Sequence, residues 1–177
     1  MGPVGHASVS TVVGGGVWAA TGSLEAGALT LGVGVLMDVD HIYDYYQMYI
    51  RKRHDKFYVL FHAWEYSIIG IALLASVFYH PLFLATVAAH LSHVITDQLH
   101  NHVSPLGYSI IYRIIKRFDA GTLAPRHDPA TSYWRLLRAL PYGKRLAPWF
   151  QRRVAEAKGP TDEDSPVLGL GPQPQDD

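Results

Sequence analysis

The chain of 177 residues contains no cysteine. This excludes thiolate metal sites, disulfides and cysteine nucleophiles. Charge is missing in long stretches. Residues 1–50 hold no Lys or Arg, and neither do residues 57–112. Between Met1 and Met37 the only acid is Glu25, and between Phe57 and Thr96 it is Glu65. Four cations cluster at Arg51, Lys52, Arg53 and Lys56, and the other eleven lie between Arg113 and Lys158. A soluble domain of average charge rarely leaves two such gaps, whereas membrane spans require them. Known catalytic signatures are also lacking. Gly14-Gly15-Gly16 has no following Lys-Ser/Thr, so it reads as helix packing rather than a phosphate loop, and no Ser/His/Asp pattern competes. No nucleic-acid partner is expected.

What is present is apolar helix. Residues 6–22 are small and apolar, which lets helices approach closely, and the start lacks the basic region of a secretory signal. Gly22-Ser23 breaks the run. Residues 24–37 form a second segment, leading into Asp38-Val39-Asp40-His41 and an aromatic stretch from Tyr43 to Tyr49 that suits a membrane–water interface. Phe57 to Tyr79 predicts a third helix, long enough to span a bilayer, for which about 20 residues are needed. Pro81 disfavours helix at His80 and marks a turn. Residues 82–99 form the fourth helix.

The expected fold is all-α: a polytopic, multi-pass bundle of about four apolar helices in a lipid bilayer, with a buried soluble bundle as the alternative. The two basic clusters flank the hairpin of helices three and four and mark a cytoplasmic side. His6, Asp38 to His41, His62 and Asp97 would then meet at one level near that side. The expected domains are a metal-site domain (1–112), a basic amphipathic region (113–158) and a disordered tail (159–177). Residues 108–118 suggest a short interfacial helix. In residues 131–157, Pro141 and Pro148 divide amphipathic pieces that suit an anionic leaflet or the core surface. The tail carries five acids and four prolines and is too polar to fold alone.

The chemistry-bearing residues concentrate in His90-Leu91-Ser92-His93-Val94-Ile95-Thr96-Asp97. On a helix His90, His93 and Asp97 share one face. Imidazole and carboxylate so placed can hold a divalent metal. The plain alternative is a core histidine with a helix-end carboxylate. Asp97 ends a nearly uncharged run and needs a partner, at a cost of about 2.5–3.5 kcal/mol if left at a bilayer centre. Asp38 and His41 are three apart, as are His62 and Glu65, and either pair can ligate, the alternatives being a helix end turning into solvent for the first and a His–Glu hydrogen bond within an interior helix for the second. His6 stands alone, and His100 extends the His93 face. The candidate metal ligands are His6, Asp38, His41, His62, His90, His93 and Asp97. Asp40 and Glu65 are candidate general bases. This donor set suits zinc first, then manganese or iron, and suits calcium poorly. His54, His80 and His127 are given no role.

The stretch Leu36-Met37-Asp38-Val39-Asp40-His41 resembles the Leu-Pro-Asp-Ile-Asp-His signature of the membrane-bound, metal-dependent hydrolases of the YdjM type. His90 to Asp97 is similar to their Ser-His-x-x-x-Asp helix, and His6 fits their early histidine. The resemblance spans residues 1–112. Met37 replaces the common proline. The middle motif, usually His-Arg-x-x-Thr-His-Ser, here reads Phe61-His62-Ala63-Trp64-Glu65-Tyr66-Ser67 and is nearer a His-x-Trp-Glu form. The resemblance implies a membrane-bound metal-dependent hydrolase. Through a distant similarity to zinc-dependent phospholipase C, it also implies a phosphoester or lipid-headgroup substrate, an analogy at fold level only. The rival expectations are a non-catalytic metal-binding membrane protein (carrier or sensor) and a structural membrane protein whose polar residues join helices.

Overall fold

A computed structural model of the chain describes residues 2–125 and 142–158. Among them the architecture is helical, with no strand. Helix α1 (Pro3–Thr21) begins with proline in its first turn and ends where Gly22 turns left-handed (φ 68°), returning its N–H to Trp18. Ser23 caps α2 (Leu24–Leu36) by accepting from the Ala26 N–H. The two helices form a close hairpin. A Cβ at Gly14 would lie 2.7 Å from the Gly27 carbonyl oxygen, so only glycine permits this approach.

After α2 the chain tightens into a single turn (Met37–Asp40), continues as α3 (His41–Tyr45), and widens into a last turn (Tyr46–Ile50). An irregular segment follows, then α4 (Trp64–Ser76) and α5 (Pro81–His100), the latter capped by the His80 ring. Helix α5 is central and packs against α1, α2 and α4. Short helices α6 (Ile110–Ile115) and α7 (Ala120–Leu123) close over the irregular segment. Phe57, Val59, Val94, Val103, Tyr108 and Leu123 form the core there. Helix α8 (Gly143–Lys158) carries Pro148 inside it and seats Phe150 against Tyr45 and Tyr49.

The membrane expectation is overturned. Among the described residues no helix is long and apolar enough to cross a membrane, so neither the polytopic bundle nor the multi-pass localisation stands. Helices α2 and α4 have 13 residues each, about 20 Å of rise against a hydrocarbon core of about 30 Å. Helix α5 has 20 residues but includes His90, His93, Asp97, Gln98 and His100. The expected helix from Phe57 to Tyr79 is only Trp64–Ser76, because the N–H groups of Phe57, Tyr58, Val59 and Phe61 and the carbonyls of Tyr58, Val59 and His62 bond distant partners. The apolar excess lies on outer faces, where Val12, Trp18, Leu31, Ile68, Ile69 and Leu73 are exposed. Pro148 does not split its segment, since one helix runs through it. The expected boundary between residues 112 and 113 falls within α6. Residues 126–141, which include His127 and Pro141, and the expected disordered tail at 159–177 lie outside the described residues.

Candidate metal centre

Five elements deliver side chains to one point. Helix α1 supplies His6, the turn after α2 supplies Asp38, and α3 opens with His41. The irregular segment supplies His62, and α5 supplies His93 and Asp97. Every one of these histidines presents Nε2 to a carboxylate. His6 is 3.0 Å from Asp97 Oδ1, and His62 is 3.2 Å from Asp97 Oδ2. His93 is 3.2 Å from Asp38 Oδ1 and 3.6 Å from Asp97 Oδ2. His41 and His62 each lie 3.5 Å from Asp38 Oδ1. Donors bound to one tetrahedral zinc at ordinary bond lengths are about 3.4 Å apart, so the cluster already has the spacing of a coordination shell.

Two histidines are held in the tautomer that ligation needs. The Nδ1–H of His93 donates to the Gly34 carbonyl at 2.6 Å. The Nδ1–H of His62 donates to Asp40 Oδ2 at 3.0 Å. Both acceptors lack a proton to give, so each ring carries a hydrogen on Nδ1, which leaves Nε2 as the nitrogen that would turn a lone pair to a bound cation. Such outer partners orient ligand histidines in metal sites and raise their basicity. His6 supplies the test of fit. Its Nε2 is buried and makes no hydrogen bond of good geometry, although Asp97 Oδ1 is so near. A ring nitrogen and a carboxylate oxygen this close without a well-formed hydrogen bond fit two ligands of one ion.

The cluster attracts positive charge. Burial pushes the Asp38 and Asp97 carboxyls up, yet the surrounding histidines outweigh it and hold both well below the usual carboxylate range. Burial pushes the His62 ring down, but Asp38, Asp40 and Asp97 raise it well above its ordinary value. His93 is likewise opposed by burial and raised, by Asp38 and Asp97, to about 8. Positive charge is therefore stabilised here, as protons on imidazole or as a cation.

The remaining candidates lie elsewhere. His90 is engaged on both nitrogens, with Ser67 Oγ at 2.6 Å and the Phe61 carbonyl at 2.9 Å. His100 bonds back to Thr96 of its own helix. Asp40 stands behind His62 and also accepts from the Phe61 N–H at 2.8 Å. Glu65 accepts from the Ser109 hydroxyl and the Ile110 and Ile111 N–H groups, capping α6.

Three positions that sequence reasoning passed over shape the site. Asp44 accepts from the N–H groups of Tyr58 and Val59, each at 2.7 Å. Arg113, fully buried, donates to the carbonyls of Tyr58, Val59 and His62. Gly34 contributes its carbonyl. Together Asp40, Asp44 and Arg113 replace the helix that residues 57–63 do not form, and they hold Val59 at a φ of 33°, unusual for a β-branched residue. Two signals were available. Asp44 is a lone acid among tyrosines, and Arg113 is the first cation after a long gap, set among isoleucines.

Comparison with protein-family models, curated proteins and solved structures gave no match.

Proposed function

We propose that this protein is a divalent-metal-dependent hydrolase acting on phosphoesters, with zinc as the first-choice ion and manganese or iron as alternatives. One observation carries the reading, the uneven burial of the cluster. His6, His62, His93 and Asp97 are buried, whereas the Asp38 and His41 side chains are 26% and 22% exposed. A purely structural metal site is closed, while a catalytic one keeps an open position for water or substrate. Asp38 and His41 line that open edge.

The chain's own groups then divide the work. His62 and His93 present Nε2 lone pairs from rings fixed by Asp40 and Gly34. Asp97 and Asp38 supply the negative charge that draws the cation in. Asp40 acts through His62 and is a positioning residue. Glu65 serves α6. When bound, the ion polarises an ester oxygen and lowers the pKa of a water that it holds, to about 7 in favourable zinc sites. The motifs at Asp38 to His41 and at His90 to Asp97, which resemble those of the YdjM-type hydrolases, support the same reading.

The test is turnover by the full chain on soluble and lipid phosphodiesters, before and after chelation. Expected is activity that disappears on chelation, returns with zinc or manganese, and is absent in Asp97→Ala. Stoichiometric metal with no turnover across the panel, or turnover indifferent to chelator, would overturn the hydrolase reading.

A further inference from the structure

The division of the carboxylate oxygens bears on how many ions the centre takes. Asp97 turns Oδ1 to His6, at 3.0 Å, and Oδ2 to His62 and His93, at 3.2 and 3.6 Å. Asp38 divides in the same way. Its Oδ2 is the oxygen near His6, at 3.9 Å. Its Oδ1 meets His93, His41 and His62 at 3.2, 3.5 and 3.5 Å. A carboxylate that bridges two ions must aim its two oxygens at different ligand groups. Two aspartates from separate elements do so in parallel.

The ligand atoms accordingly fall into two overlapping sets. One is His6, Asp38, His93 and Asp97, and the other is Asp38, His41, His62 and Asp97. Within each, the atoms lie within 4.8 Å of one another. His6 and His41 belong to different sets, and both aspartates belong to each. His93 is grouped with His6, on which its ring stacks at 3.9 Å between centroids. His62 and His93, with Nε2 atoms 3.0 Å apart, stand side by side at the junction.

We propose that the centre is dinuclear, with Asp38 and Asp97 bridging one ion on the His6 side and a second on the side of His41 and His62, and with His93 between the two. This rests on the metal-centre reading given above. Buried His6 supports it independently, since its Nε2 makes no well-formed hydrogen bond and the second set alone leaves that atom out. The charge count specifies the substrate. Two dications against two carboxylates and neutral imidazoles leave a net positive pair. Ions in such pairs lie about 3.5–4 Å apart and clamp the attacking and leaving oxygens of a phosphoryl group. The partly exposed Asp38 and His41 put the opening beside the second ion, so an anionic phosphate ester enters there.

The experiment is metal stoichiometry on the full chain, with zinc alone and with manganese alone. Expected are two ions per chain in the wild type at saturation, one in His6→Ala and one in His41→Ala. The manganese form should show the electron paramagnetic resonance of an exchange-coupled pair. That spectrum needs no substitution, and His41 lies on the exposed rim, so a misfolded His6→Ala leaves the test intact. Saturation at one ion, or an uncoupled manganese spectrum, would overturn the dinuclear centre and leave a single-metal hydrolase standing. No metal at all would overturn both.

Discussion

His93 and Asp97 keep their places because they are four apart on a regular helix. His62 keeps its place although no regular element carries it. On the α5 side, position follows from the helical repeat, and the Gly34 carbonyl orients the His93 ring. On the loop side, every ligand-bearing stretch is tied by side chains from elsewhere: Asp44 to Tyr58 and Val59, Asp40 to Phe61 and His62, and Arg113 to three carbonyls. The same ligand chemistry is thus reached by two routes. The first is local and robust. The second depends on a few buried polar groups whose loss leaves others unsatisfied.

The sharpest way to break the contrast is Arg113→Met. It removes the donor to three backbone carbonyls, and the expected loss of stability is about 3 kcal/mol or more, read as a lower urea midpoint. The His62 contribution to metal binding should fall with it. A variant as stable as wild type would show that the segment holds itself. Next in size is Asp40→Ala, which frees the His62 ring while leaving all six proposed ligands in place. Metal affinity should drop by about 10–100-fold in titration calorimetry, and an unchanged affinity would remove Asp40 from the site's design.

A pH comparison separates the charge from the metal. In metal-free protein His93 is raised to about 8 by Asp38 and Asp97. A raised histidine stabilises fully below its unfolded value near 6.5, and that contribution is lost as pH rises through about 8. Metal-loaded protein should show the opposite slope over this window, because protons compete with the ion for the same nitrogens. Parallel slopes with and without chelator would contradict the assignment of His93.

The smallest effect belongs to Glu65→Gln, at the cap of α6. Burial pushes its carboxyl up, but the Ser109 hydroxyl and the Ile110 and Ile111 amides outweigh this and hold it below the ordinary value. Its stabilisation is therefore present above about 4.5 and lost as pH falls through its folded value. Expected is a loss of about 1 kcal/mol or less near neutrality, with metal content unchanged.

The same contrast explains what was legible beforehand. The α5 ligands follow from a spacing of four in one apolar segment, and the α1–α2 hairpin follows from Gly22-Ser23. The grouping of His6, Asp38, His41 and His62 with them followed from motif and level, not from any period. The irregular segment was hidden because Phe57 to Ala63 is as apolar as the helix after it. What denies it a helix is Asp40, Asp44 and Arg113, and Arg113 lies some fifty residues along the chain. The membrane reading failed for a related reason. Composition records how much apolar surface exists, not how long each helix runs before a polar residue or a turn interrupts it. Glu65 was misplaced because an i, i+3 pair with His62 presumes helix at residue 62, and α4 begins at Trp64.

Gly34 carries a further consequence. A Cβ there would sit 2.1 Å from Ser10 Oγ, and Ser10 is one turn along α1 from His6. The bare backbone of α2 is therefore a spacer between the helix bearing His6 and the helix bearing His93. Metal–ligand bonds tolerate only about 0.2 Å of error. The choice between a small ion and one with bonds of about 2.3–2.6 Å, such as calcium, is consequently a matter of how far apart two helices stand. A residue that touches no metal sets that gauge by having no side chain.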